Sequence, residues 1–226
     1  MCLTLLQEGT LSNLNNSLQF PFIIFFMRTC LFLGLLNFYV FSTEQKKPMQ
    51  NEKATFAGGC FWCMQDPFDH WLKKGVLTTE VGYTGGSQPN PSYQEICTGK
   101  TGHAEAIQIT FDPAQITYSE LLDIFWKNID PTTLDQQFAD HGSQYRTAIF
   151  YHSPEQKKLA LESKNKIEKS RKFSSPIVTE ITPASTFYVA EDYHQKYYEK
   201  NPFQYKLYKK GSGRENFIHQ LWNDEK

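Results

Sequence analysis

Beyond residue 50 the apolar positions fall into short runs of period two and longer runs of helical period, and these predict an order of elements. "HAEAIQITFD" (103–112) is the clearest strand, with Ala104, Ala106, Ile107, Ile109 and Phe111 as its apolar positions. "KATFAGG" (53–59), "VLTTEVGY" (76–83), "TAIFYH" (147–152), "PIVTEI" (176–181) and "STFYVA" (185–190) read as shorter strands. The Gly58-Gly59 turn releases the first of these into a helix beginning at Cys60, which Pro67 keeps short or kinked. Thr117 and Glu120 have the spacing of a capping box ahead of the amphipathic "LLDIFWKNI" (121–129). Ser153-Pro154 supplies an N-cap and a proline for the first turn of a surface helix, "EQKKLALESKNKIEKSRK" (155–172). "EDYHQKYYEKN" (191–201) reads as a helical turn or two. Residues 84–102 and 130–146 are polar and turn-rich and are expected to be long loops, a length that in a compact domain usually marks function. Strands alternating with helices give an α/β or α+β class around a small sheet, and the two loops converging on one sheet end would form a cleft.

The N-terminal pattern is different. Residues 20–41, "FPFIIFFMRTCLFLGLLNFYVF", are almost wholly apolar and broken by Arg28. A membrane span with a charge near its centre is costly. The better parse starts at Met27, with Arg28 as the positive flank, residues 30–41 as the apolar stretch and Ser42-Thr43 as a small-residue cleavage zone. A cleaved signal implies export; a retained anchor would leave the protein on the membrane, and a cytoplasmic location is the remaining alternative. Residues 44–52 are polar and read as a linker, so the catalytic domain is expected over 53–226.

Composition narrows the function. The 226 residues are 40% hydrophobic and 15% aromatic, enough for one sizeable core, and the net charge of −1 shows no basic face for nucleic acid. Of five cysteines, Cys2 and Cys30 precede the domain, leaving Cys60, Cys63 and Cys97. Three is a poor disulfide framework, but one close pair suits a working thiol site. At a helix N-terminus Cys60 would meet free N–H groups and a partial positive charge, which lower a thiol's pKa. Cys63 lies one turn on, within disulfide reach. No second Cys-x-x-Cys exists and the histidines are scattered, so no metal site is expected. Phe61 and Trp62 are either core residues or the wall of a small apolar pocket.

"GGCFWC", "VGYTGG", "TGHAEAIQITFDP", "DHGSQYRTAIFY" and "AEDYHQKYY" occur in that order, and together they resemble the A-type peptide methionine sulfoxide reductases over residues 53–222. The resemblance implies an α+β two-layer sandwich of ferredoxin-like type, with a mixed sheet flanked by helices. It implies reduction of the S epimer of methionine sulfoxide, free or in oxidised proteins and peptides, without a cofactor. On that pattern Cys60 matches the nucleophile, and Phe61 and Trp62 the residues that hold the S-methyl group. Glu105 matches the carboxylic acid beside the sulfoxide oxygen, Tyr83 and Tyr145 the two hydroxyl donors, and Asp140 the nearby aspartate. His194 and Tyr197 match supporting residues.

The chemistry agrees with those roles. A thiolate attacking sulfoxide sulfur leaves negative charge on the oxygen, which donors placed there stabilise. A buried Glu105 would keep its proton at neutral pH; an exposed strand glutamate and core tyrosines are the bland alternatives. Loss of methionine would leave Cys60 as a sulfenic acid, which condenses with Cys63 or, alternatively, Cys97. A short loop closes at lower entropic cost and favours Cys63. A thioredoxin-like donor would then reduce the disulfide, and the protein is expected to act as a monomer. Two rival readings are a thioredoxin-like disulfide oxidoreductase built on Cys60 and Cys63, and a membrane-tethered binding module using the aromatic patch.

Overall fold

A computed structural model describes residues 50–222. The apolar 20–41 segment, the Met27 start and the Ser42-Thr43 zone lie outside the described residues. No helix among the described residues is long and apolar enough to cross a membrane.

The frame is β1 (Glu52–Gly58), α1 (Phe61–Asp69), β2 (Val76–Thr84), β3 (Ala104–Phe111), α3 (Tyr118–Trp126) and β6 (Thr147–Tyr151). β1 pairs antiparallel with both β3 and β6, and β3 pairs antiparallel with β2. This gives the order β6-β1-β3-β2, a βαββαβ unit of ferredoxin-like type. Two short strands extend it. β7 (Glu180–Pro183) runs parallel to β6, and β8 (Tyr188–Val189) closes the far edge on β2, so the sheet is mixed as expected. Of "PIVTEI" only Glu180 and Ile181 are in a strand, which runs on to Pro183, and of "STFYVA" only Tyr188 and Val189.

β3 explains why the sheet needs two covered faces. Successive side chains alternate, so Ile107, Ile109 and Phe111 face one way and Ala104 and Ala106 the other. The first set joins Phe56, Met64, Phe68, Leu121, Leu122 and Phe125 in the main core under α1 and α3. Phe56 stacks between Phe68 and Phe125, with ring centres 5.6 and 5.1 Å away. The second set meets Ala57, Ala148 and Phe150 beneath Ala184 and Phe187. Small residues there let an irregular segment lie close to the sheet. Glu105 shares the parity of Ile107 and so points to the helix side.

The capping signals hold. Thr117 and Glu120 form a reciprocal box at the start of α3, and the Ser153 hydroxyl accepts from Gln156 N–H at the start of α4 (Pro154–Ser170). The two expected loops are not structureless. Residues 84–102 contain α2 (Tyr93–Cys97), started by a second capping box of Ser92 and Glu95. Residues 130–146 contain a hairpin of β4 (Gln136–Gln137) and β5 (Asp140–His141), then a 3-10 turn at Ser143–Tyr145. The 191–201 stretch is a 3-10 turn (Asp192–His194) followed by α5 (Tyr197–Lys200). Two helices unforeseen in the pattern follow, α6 (Pro202–Gly211) and α7 (Arg214–Trp222).

The β1–α1 turn needs glycine. Gly59 has φ +79°, and a Cβ there would lie 2.4 Å from Cβ of Gln137. Strain at positive φ and overpacking act together, so Gly59→Ala is expected to cost about 2–4 kcal/mol in urea unfolding. Unchanged stability would show that the turn relaxes freely.

Candidate active site

Cys60 is the N-cap of α1 and Cys63 lies in its first turn, with the Cys63 N–H donating to the Cys60 carbonyl at 3.1 Å. Both are buried free thiols. The expected lowering of Cys60 is not what this geometry gives. Burial, then the neighbouring Cys63, pushes the Cys60 thiol well above its ordinary value, outweighing the helix N-terminus. The lowered partner is Cys63, held at about 7 by the hydrogen bond from Cys60 and then by Arg214 and Lys209, against the effect of its burial. The two sulfurs therefore share one negative charge near neutrality, with the proton on Cys60.

Glu105 stands across the helix terminus. Its Oε2 accepts from the Phe61 N–H at 3.0 Å. It is 2% exposed. Burial raises its carboxyl to about 8 despite that hydrogen bond, with Asp140 and Cys63 adding to the rise. A carboxyl held at about 8 favours its protonated form at neutral pH, beside the thiol pair.

The remaining walls are aromatic. Trp62 stacks on Tyr197 at 3.8 Å between ring centres and donates from Nε1 to His194 Nδ1 at 3.1 Å. Accepting at Nδ1 requires His194 to be the neutral tautomer with its proton on Nε2, and burial holds its pKa down at about 4. Tyr208 on α6 donates to Asp140 on β5. Burial raises the Asp140 carboxyl above its ordinary value, partly offset by Tyr208 and Arg214. Cys60, Phe61, Trp62, Tyr93, Glu105, Asp140, Tyr145 and Tyr208 together enclose a cavity of about 90 Å³. Drug-sized ligands need about 300 Å³ or more; this space admits the end of one side chain.

The predicted residues divide as follows. Cys60, Phe61, Trp62, Glu105, Asp140 and Tyr145 line the cavity, while His194 and Tyr197 brace Trp62 from behind. Cys63 lies beneath Cys60 in α1. Tyr83 is a correction. It pairs with Glu105 across β2 and β3, but its hydroxyl turns away and donates to Glu191 at 2.8 Å. Tyr93 occupies the cavity wall instead, its N–H donating to the other oxygen of Glu191 at 2.9 Å. Cys97 is exposed, at the end of α2 and outside the cavity. Tyr93 and Tyr208 were missed. The Ser92-Glu95 capping box could have put Tyr93 on a helix; Tyr208 carries no local signal.

These residues and this fold have known counterparts. The family model for peptide methionine sulfoxide reductase matches residues 52–226. The peptide methionine sulfoxide reductase MsrA of Bacillus licheniformis is 54% identical over 173 residues, covering 76% of this chain and 94% of that protein. Its counterpart in Bacillus subtilis is 53% identical over 173 residues, covering 76% and 97%. Among solved structures, reduced Mxr1 of Saccharomyces cerevisiae superposes with TM-score 0.64 at 36% identity, covering 70% of this chain and 89% of that one. Methionine sulfoxide reductase A of Corynebacterium diphtheriae gives TM-score 0.58 at 35% identity, covering 70% and 77%. A buried thiol pair facing a protonated glutamate, on a fold shared with such enzymes, leaves one conclusion: this chain belongs to the peptide methionine sulfoxide reductase family.

Proposed function

We propose that the protein reduces the S epimer of methionine sulfoxide, in oxidised proteins and peptides and as the free amino acid, with Cys60 as nucleophile. The observation that carries this is Glu105: a buried carboxylic acid, protonated at neutral pH, hydrogen-bonded to the N–H beside the Cys60 thiol. Exchange between thiols and disulfides expels no oxygen, whereas a sulfoxide oxygen must be protonated to leave, and Glu105 is placed at the helix terminus to donate that proton.

The steps follow from the site. The Cys63 thiolate takes the Cys60 proton, and the Cys60 thiolate attacks the sulfoxide sulfur. Glu105 donates to the oxygen, with the Tyr93 and Tyr145 hydroxyls beside it as further donors. Phe61 and Trp62 supply the apolar wall for the S-methyl group. The protonated oxygen then passes from the substrate sulfur to Cys60 as the new bond between the two sulfurs breaks, so that methionine leaves and Cys60 is a sulfenic acid. Cys63 then attacks the Cys60 sulfur; an S–S bond forms, the S–O bond breaks and water leaves. In sum, one sulfoxide is reduced while two thiols become a disulfide, which a thioredoxin-like dithiol reopens by exchange. Cys63 is favoured over Cys97 as the resolving thiol because it sits one turn from Cys60 in the same helix, whereas Cys97 is outside the cavity.

Mass spectrometry after one turnover with methionine-S-sulfoxide tests the thiol roles. Wild type should carry a Cys60–Cys63 disulfide, and Cys63→Ser a Cys60 sulfenic acid. Cys60→Ser should release no methionine, and full activity in that variant would end the proposal. For Glu105→Gln, kcat/KM should fall about 10²-fold. The pH profile tests the acid separately. Wild-type kcat/KM should fall below about 7, as the Cys63 thiolate is protonated, and above about 8, as Glu105 ionises. The variant should lose the alkaline limb and keep the acid one.

Stability offers a readout free of catalysis. Glu105 binds its proton more tightly in the folded protein, where its pKa is about 8 against an ordinary 4.5. Its stabilising contribution is complete below about 4.5 and is lost as pH rises through about 8. In urea unfolding, wild type should therefore lose stability relative to Glu105→Gln across that window. A constant difference would mean that Glu105 ionises normally.

A further inference from the structure

We propose that Arg214 is the positioning residue that holds the anion of the thiol pair on Cys63, acting through a fixed guanidinium charge that makes no ion pair among the described residues. The inference rests on the Cys60–Cys63 reading above and adds a residue from α7, the last helix described.

Arg214 is 1% exposed. Its Nη2 donates to the Gly58 carbonyl at 2.8 Å and its Nη1 to the Asn128 carbonyl at 2.6 Å. Nη1 also lies 3.6 Å from Sδ of Met64, the residue after Cys63, and the guanidinium sits over the Phe138 ring at 4.6 Å. Every one of these partners is neutral, and Arg214 makes no ion pair among the described residues. Buried arginines are ordinarily paired, because an unanswered charge in the interior is costly.

Two nearby groups can answer it as anions. Asp140, on which Arg214 also acts, accepts a hydrogen bond from the Tyr208 hydroxyl, and burial pushes its carboxyl toward the neutral form. The other is Cys63. The groups that face Cys63 are Cys60 on its own helix, Glu105 on β3, Asp140 on β5, Tyr205, Tyr208 and Lys209 on α6, and Arg214 on α7. Only Lys209 and Arg214 are cations. Lys209 is matched by Asp66, with its Nζ 2.9 Å from Oδ2. Arg214 is the cation left over, and the Gly58 carbonyl fixes it two residues before Cys60.

This placement matters most in the resolving step. While Cys60 is a thiol, its hydrogen bond is the largest stabiliser of the Cys63 thiolate. Oxidation of Cys60 removes that donor, but the guanidinium stays. The Cys63 thiolate then attacks the sulfenic sulfur of Cys60; the S–S bond forms, and the oxygen leaves as hydroxide and takes a proton to become water. The two electrons that reduce the sulfenic sulfur come from the thiolate.

A structural clamp on two backbone carbonyls is the competing role, and the charge separates them. The test uses the full chain with Cys2, Cys30 and Cys97 changed to Ser, reduced and without substrate, titrated by thiolate ultraviolet absorbance. Arg214→Gln should raise the first thiolate midpoint by about one pH unit, whereas Arg214→Lys should stay within a few tenths of the parent. After one turnover at pH 7, disulfide formation in Arg214→Gln should slow about fivefold, following the smaller thiolate fraction. A folded Arg214→Gln with the parent midpoint overturns the proposal. If that variant does not fold, Arg214→Lys decides: the parent midpoint supports the charge role and a raised one overturns it. If neither folds, the guanidinium is a clamp and the proposal fails. Should the midpoint shift while wild type forms no Cys60–Cys63 disulfide, Arg214 acts as stated and the resolving assignment is what falls.

Discussion

One hydrogen bond joins the parts of this protein that do chemistry: the Phe61 N–H to the Glu105 carboxyl. It ties the first residue of α1 to a central strand, so the helix that carries both thiols cannot move without the strand that carries the acid. The β1–α1 turn makes the contact possible. Gly58 and Gly59 bring the chain over the sheet edge with no side chain in the way, and Gly59 does so at positive φ. Glu105 reaches the helix terminus because it shares the strand face of Ile107 and Ile109, whose burial under α1 and α3 holds that face against the helices. The apolar core thus aims the acid.

Burial does the electrostatic work, and in opposite senses for different groups. It keeps a proton on Glu105 and on Cys60, and it keeps one off the Nδ1 of His194, which must accept from Trp62. A site closed to water would by itself hold all its acids neutral. The anion that chemistry requires is retained on Cys63 only because a thiol donor and two cations surround it. On the proposed reaction, Cys60 is thus stored one proton transfer from its reactive form. On that reaction the arrangement keeps the sulfur unreactive until a sulfoxide fills the cavity.

Local patterns made much of this legible. The period-two run at 103–112, the Thr117 and Glu120 box and the Ser153-Pro154 start each depend on residues a few positions apart, and each appears where expected. Six cavity residues were visible as parts of short motifs. What escaped notice was of two kinds. The Ser92 and Glu95 box lay in plain view but inside a turn-rich stretch, and the polar composition masked a helix of five residues. Tyr83 was expected at the cavity because "VGYTGG" resembles a family motif; it does directly oppose Glu105 in the sheet, yet Glu191, far along the chain, draws its hydroxyl away.

The sequence by itself determined the thiol spacing, the glycine turn, the strand that bears the acid and the caps that start the helices, because these follow from backbone geometry within one or two turns of chain. Only the tertiary structure decided which tyrosine faces the cavity, which of two sulfurs keeps the proton, and that Tyr208 and Arg214, from the last two helices among the described residues, come to lie beside the β1–α1 turn formed more than a hundred residues earlier. The reason is physical. Hydroxyl direction and thiol acidity depend on burial and on charges brought together from distant segments, and no local pattern encodes either.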